Sequence, residues 1–116
     1  MGEYKRACLL RIFLGESDRN GHQPLYEAIV LAARSNRLAG ATVLRGSLGF
    51  GGRSRIHSAK ILRLSEDLPI VIEIVDAHEK IEAFLPQVEL MLGDGLVTLE
   101  DVRLFTRRPM ADKGAE

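Results

Sequence analysis

The stretch with the clearest chemical potential lies near the middle of the chain. It has four glycines in the seven residues Gly46 to Gly52, and arginines flank it on both sides. Glycines let main-chain N–H groups approach an anion closely, and the planar guanidinium of arginine can bind phosphate bidentately. We therefore interpret the stretch as an anion-binding loop. Its candidate ligand-binding residues are Arg45, Gly46, Gly49, Phe50, Gly51, Gly52, Arg53, Arg55 and His57.

A simpler interpretation is a connector whose arginines only keep it soluble. The stretch is neither a P-loop nor a dinucleotide-binding fingerprint, because it lacks the Gly-Lys-Ser/Thr ending and does not clearly open a helix. Residues 46–65 are, however, far longer than an ordinary hairpin connection, and such loops often carry function. Phe50 could stack on a base or anchor the loop, and the sequence does not choose between these roles.

His57 could contact a phosphate or a ring, but it has no second ligand at metal-binding spacing, so we predict no metal site. We also find no Ser-His-Asp, Cys-His or paired-carboxylate arrangement, and we therefore predict no catalytic residue.

Charge is balanced overall but strongly segregated along the chain. The net charge is zero, yet Ala28 to Ser65 contains seven basic residues and no acid, whereas Glu66 to Asp101 contains ten acids and only Lys80 as a base. A zero total argues against non-specific binding to nucleic acid, and we expect no nucleic-acid partner. The asymmetry favours a local basic site, unless the two segments neutralise each other across the fold or between subunits.

Length and cysteine content bound the class of protein. A chain of 116 residues fits one domain, which we place at 1–108, with a flexible tail at 109–116. The single cysteine, Cys8, excludes an intrachain disulfide and fits a reducing compartment. Because the chain shows neither an apolar leader segment nor an apolar stretch near the ~20 residues needed to span a bilayer, we expect a cytoplasmic protein.

Hydrophobic periodicity predicts strands near residues 7–14, 41–45, 69–75 and 96–106, with helices after the first and third strands. Asp76 is predicted to cap the second helix, and Pro86 to kink or split it. The order β-α-β-β-α-β predicts an α+β, ferredoxin-like fold, in which a four-stranded antiparallel sheet carries both helices on one face. Glu73, the one acid of the third strand, could pair with Arg11, Arg45 or Arg103.

The first predicted strand is apolar on both faces, with Leu10 and Ile12 on one side and Leu9 and Phe13 on the other. Because the helices cover only one face of the sheet, the second face must be covered as well. The simplest cover is another copy of the chain.

Several blocks of sequence together form a recognisable set, namely Leu10 to Glu16, Gly21 to Glu27, Gly40 to Gly46, Leu48 to Gly51, His57-Ser58 and Leu64 to Asp76. They resemble the family called domain of unknown function 190 (DUF190), a branch of the PII-like superfamily. The resemblance runs from about Cys8 to Phe105. It implies a homotrimer that binds an adenine nucleotide such as ATP, ADP or AMP in clefts between subunits. It also implies that the loop at 46–65 contacts a partner, such as a membrane transporter or channel.

The resemblance adds further candidate residues. Gly93-Asp94-Gly95 resembles the Gly-Asp-Gly turn of PII proteins and adds Gly93 and Gly95 to the predicted site. Arginines late in PII chains hold phosphate, which adds Arg103 and Arg107. PII proteins follow the turn with a lysine that binds phosphate, whereas this chain has Leu96. Arginines and main-chain N–H groups would therefore bind the phosphate.

The resemblance favours a signalling module over three alternatives. One is an enzyme that processes a small anion or nucleotide, with His57 as the only obvious base. Another is an RNA-recognition domain, which the same element order can build, but its third strand would need aromatic residues that are absent here. A metal-tolerance role is weak because His, Cys and Met do not cluster.

Overall fold

The computed structural model describes residues 2–49 and 67–107. In chain order its elements are β1 (Gly2–Gly15), β2 (Arg19–Asn20), β3 (Gln23–Pro24), α1 (Leu25–Ser35), β4 (Thr42–Arg45), β5 (Pro69–Asp76), α2 (His78–Met91) and β6 (Leu96–Arg107). The predicted tail at 109–116 and most of the predicted loop lie outside the described residues, so the domain boundaries stay a prediction.

The main sheet has the strand order β4-β5-β1-β6, and every neighbouring pair is antiparallel. Both helices lie on one face, which confirms the predicted α+β, ferredoxin-like fold. The core forms between that face and the helices, because alternate residues of β1 and β5 point the same way and meet the apolar stripes of α1 and α2. Its fully buried members include Leu10, Ile12, Ile29, Ile72, Ile74, Ile81, Phe84 and Val88.

Strand β1 is much longer than the sequence predicts. β1 begins at Gly2 rather than near Ala7, and residues 2–7 pair with residues 102–107 of β6 beyond the point where β5 ends, since Asp76 lies opposite Cys8. We call this two-stranded extension the β1–β6 arm. Tyr4 and Phe105 face each other on it, with ring centroids 5.2 Å apart. The first residues of β1 are mostly polar and have no buried face. They form a strand because they pair with β6, which is distant in sequence.

Helix α2 differs from its prediction at both its start and its middle. The helix is continuous through Pro86, so the predicted split is wrong, whereas the predicted kink stays a prediction. Pro86 and Glu82 are both exposed, so the Glu82 carbonyl that loses its helical partner can be hydrated. The predicted cap is wrong, because the N-cap is Ala77 and has no side-chain cap bond. Asp76 instead accepts hydrogen bonds from the main-chain N–H groups of Ala77 and Ala39, so it fastens the entry of β4 to the end of β5.

The turn between β1 and α1 contains a small hairpin, β2–β3, around Gly21. Gly21 has a φ of 65°, a left-handed conformation that glycine adopts without strain. Within the described ranges, no helix is long and apolar enough to cross a membrane.

Candidate functional site

The predicted loop leaves the sheet at the end of β4. Arg45 is the last residue of β4, and the Gly46 main-chain N–H donates to the Pro69 carbonyl at 2.8 Å. A Cβ on Gly46 would lie 2.7 Å from Pro69 Cγ, and one on Gly49 would lie 3.1 Å from the same atom. A side chain at position 46 would therefore collide with Pro69, and one at position 49 would pack tightly against it. The predicted residues Phe50, Gly51, Gly52, Arg53, Arg55 and His57 lie outside the described residues.

The second predicted component, the Gly93–Gly95 turn, joins α2 to β6. A Cβ on Gly95 would lie 2.7 Å from the Phe13 main-chain oxygen, so the turn packs tightly against the end of β1. This close approach explains why glycine is needed at position 95. It also fixes the position of the turn along the sheet, next to Phe13.

The two components lie at the same end of the sheet but on opposite edges. Arg45 pairs with Ile70, Ile70 pairs with Leu14, and Phe13 pairs with Leu96 immediately after the turn. Strands β4 and β6 are separated by two intervening strands, a distance of about 14 Å at the usual strand spacing. In one chain, therefore, the described parts of the predicted site are separated by the width of the sheet.

Arg45 already has a partner within the chain. Its Nη2 atom lies 2.7 Å from Oε2 of Glu16, in the turn that follows β1. Two further carboxylates lie in or against this turn: Asp18 accepts a hydrogen bond from the Gly15 N–H, and Asp67 accepts one from the Ser17 N–H. The acidic turn beside Arg45 was not predicted, because strand pairing rather than sequence spacing brings these residues together.

The late arginines lie at the other end of the molecule. Arg103 is directly opposite Arg6 on the β1–β6 arm, and its guanidinium carbon is 4.6 Å from the centroid of the Tyr4 ring. The main chain of Arg107 pairs with Gly2. Arg103 is seven residues along β6 from Leu96, about 24 Å at the usual rise per residue. The structure does not bring these arginines together with Arg45 or with the Gly93–Gly95 turn in one chain.

The face of the sheet opposite the helices, which we call the open face, is not covered by any described helix. Its centre holds a charged network, in which Arg11 donates to Glu73 at 2.9 Å and to Glu100 at 3.1 Å. Glu73 therefore pairs with Arg11, one of its three predicted partners. The hydrogen bond to Glu73 is the main reason that the pKa of Arg11 lies above its ordinary value.

Beside this network, an apolar row crosses all four strands of the open face. It consists of Leu44, Val71, Phe13 and Leu96, which are opposite one another in register. In the single chain, Leu44 and Leu96 are 48% and 60% exposed. Leu96 thus belongs to an apolar surface.

The family model of DUF190, described as "Uncharacterized ACR", matches residues 7–104 of this chain. The chain belongs to the DUF190 family. A UPF0166 protein of Aquifex aeolicus is 40% identical over 97 residues, which are 84% of this chain and 91% of that protein. A UPF0166 protein of Methanocaldococcus jannaschii is 34% identical over 101 residues, covering 86% of this chain and 93% of the relative.

Solved structures place this DUF190 chain in the PII-like fold. CPII from Thiomonas intermedia K12, a nitrogen regulatory PII-like protein, was solved bound to ADP, AMP and bicarbonate. It superposes with a TM-score of 0.61 at 17% identity, over 88% of this chain and 98% of CPII. The family resemblance seen in the sequence is therefore confirmed, and so is the fold.

Proposed function

We propose that the protein is a homotrimeric PII-like regulator that binds an adenine nucleotide in the clefts between its subunits. The observation that carries this proposal is the division of the predicted site. Arg45 with Gly46 and Gly49 lies on one edge of the sheet, and Gly93 with Gly95 lies at the same end of the opposite edge. A cyclic trimer would place the β4 edge of one subunit beside the β6 edge of the next and complete the site three times.

The open face supports the trimer. An apolar row that spans four strands, with large side chains about half exposed, gains stability when another surface covers it. In the Arg11–Glu73–Glu100 network beside it, the guanidinium contacts both carboxylates within the chain. These contacts reduce the cost of burying the charges against another subunit, and the network keeps one excess negative charge. Light scattering coupled to size exclusion tests this directly, because a trimer has three times the mass of the chain.

The choice of nucleotide rests on the described chemistry and on the fold. Arg45 supplies a guanidinium at the base of the predicted loop, and CPII, which shares the fold, was solved with ADP and AMP. Isothermal titration calorimetry with ATP, ADP, AMP and cyclic AMP is the test, and bicarbonate should be included because CPII also held it. If no nucleotide binds more tightly than about millimolar, the nucleotide-sensing role is wrong.

The loop at 46–65 would then be the segment that responds to the ligand and contacts a partner, for which a membrane transporter or channel is the proposed class. Ligand-dependent ordering of such a segment is a common switching device. The proposed role is binding rather than catalysis. Turnover of a nucleotide that is lost in a His57→Ala variant would instead support the alternative of a nucleotide-processing enzyme.

A further inference from the structure

The contacts of Glu16 connect it to both ends of the chain segment that contains the predicted loop. Its carboxylate pairs with Arg45, just before the segment begins, at 2.7 Å. Its main-chain N–H donates to the carbonyl of Leu68, just after the segment ends, at 2.9 Å. One residue therefore holds the start of the segment through its side chain and the end through its main chain.

The two ties differ in strength and in chemical character. The tie at Leu68 is a main-chain hydrogen bond, and the neighbouring Ser17 N–H to Asp67 contact at 3.0 Å reinforces it. The tie at Arg45 is an ion pair between side chains that are 48% and 30% exposed. Partly exposed ion pairs contribute little stability and exchange readily. An anion that approaches Arg45 would therefore disturb the side-chain tie first.

The other acids of this turn are not available for the same role. Asp18 accepts the Gly15 N–H at 3.0 Å and Asp67 accepts the Ser17 N–H at 3.0 Å, so both carboxylates hold main-chain donors. Among the described residues of the turn, Glu16 is the acid whose recorded side-chain contact is with a cation. Its carboxylate contacts the Arg45 guanidinium, a group that binds carboxylate and phosphate oxygens alike.

We propose that Glu16 is an internal competitor for the anionic ligand at Arg45, so that ligand binding releases the side-chain tie at the start of the segment. This inference rests on the proposed function. The phosphate group of a nucleotide replaces the carboxylate on the Arg45 guanidinium, and no covalent bond changes. The main-chain bonds at Leu68 and between Gly46 and Pro69 persist, so only the side-chain contact between Glu16 and Arg45 is released. Glu16 thereby lowers the affinity of Arg45 for the anionic ligand.

The test is a double-mutant cycle read by calorimetric titration of the full chain with ADP at low and moderate salt. Glu16→Gln removes the competing charge but keeps the shape of the side chain, and we expect ADP to bind about 2- to 5-fold more tightly, the range of an exposed ion pair. The gain should shrink as salt screens the pair. Arg45→Gln should weaken binding, and Glu16→Gln should give no gain in that background.

The matched control is Glu89→Gln, which removes the same charge from an exposed position on α2 and should leave the affinity unchanged. Unchanged or weaker binding by Glu16→Gln, in a protein whose wild type binds ADP, overturns the competitor and leaves the nucleotide site standing. An equal gain in the Arg45→Gln background also overturns it. Binding that appears only in Glu16→Gln supports the competitor. Absence of binding by wild type and Glu16→Gln alike removes the nucleotide site and the competitor together.

Discussion

The side chain of Arg11 links three neighbouring strands, β5, β1 and β6, on the open face. It contacts Glu73 on β5 and Glu100 on β6 from its place on β1. The two carboxylates hold the guanidinium in its charged form, and they would repel each other without it. One arginine therefore stabilises two acids on the open face, next to its apolar row.

We expect Arg11→Gln to lower the melting temperature, because Glu73 and Glu100 lose their shared counter-charge. The matched control is Arg34→Gln, an exposed position on α1 with no recorded ion pair in the described part of the chain. Thermal unfolding followed by circular dichroism measures both variants. Equal melting temperatures for the two variants would show that the network contributes nothing to stability.

Cys8 gives a prediction for the dependence of stability on pH. It is 3% exposed, and burial is the main cause that raises the pKa of its thiol above the ordinary value of about 9. The folded state therefore keeps this proton more tightly than the unfolded state does. Its contribution to stability is complete below the unfolded pKa and is lost as pH rises through the folded pKa.

Urea unfolding between neutral and alkaline pH measures this effect. The free energy of unfolding of the wild type should fall more steeply above pH ~9 than that of Cys8→Ala, which has no thiol to titrate. Parallel slopes for the two proteins would contradict a raised thiol pKa. The comparison of slopes separates titration from the constant loss of packing in the alanine variant.

At the scale of elements, two turns fix the ends of strands by close approach of main chains. The Gly93–Gly95 turn lies against β1, and Gly46 lies against the start of β5. These contacts fix the positions at which the Gly93–Gly95 turn and the predicted loop connect to the sheet. The geometry of the site thus depends on positions where a side chain cannot be accommodated.

We expect Gly95→Ala to destabilise the fold by about 1–3 kcal/mol, the usual cost of overpacking, because the new Cβ would meet the Phe13 main-chain oxygen at 2.7 Å. Gly40→Ala is the control, since a Cβ there would have nothing within 4 Å. Chemical denaturation gives both free energies. A Gly95→Ala variant as stable as Gly40→Ala would mean that the turn relaxes freely.

The helices and strands differ in how well they could be predicted from the sequence alone. The strand and helix order was predictable because Leu10, Ile12, Ile72 and Ile74 alternate in strands and the helices have apolar stripes. The start of β1 was not, because its polar residues form strand only by pairing with β6. The true role of Asp76 was also hidden, because its partner Ala39 is brought close by the fold and not by the local sequence.

The candidate site also contains residues that could be predicted from the sequence and residues that could not. Arg45 and the glycines could be predicted from residue type, and the Gly93–Gly95 turn from the family resemblance. Glu16 could not, because it meets Arg45 only after β1, β5 and β4 have paired. The position of Arg103 on the β1–β6 arm, away from the rest of the site, also follows from register alone.

At the scale of the whole molecule, the apolar row of the open face makes a prediction about assembly. Leu44→Lys places a charge on this row, where the side chain is 48% exposed in a single chain, so the subunit should fold but associate less well. Leu90→Lys on α2 is the control, because Leu90 is 88% exposed on the helical side. Light scattering should give a reduced mass for Leu44→Lys only. An unchanged mass for Leu44→Lys would place the subunit contacts elsewhere.

The most direct test of the account is the linkage between nucleotide and assembly in the wild-type protein. Analytical ultracentrifugation of a dilution series, with and without saturating ADP, measures the concentration at which the oligomer dissociates. A ligand that binds between subunits stabilises the assembled state, so we predict a trimer that persists to lower protein concentration when ADP is present. A monomer at all concentrations, or ADP binding that leaves dissociation unchanged, would contradict a nucleotide site shared between subunits.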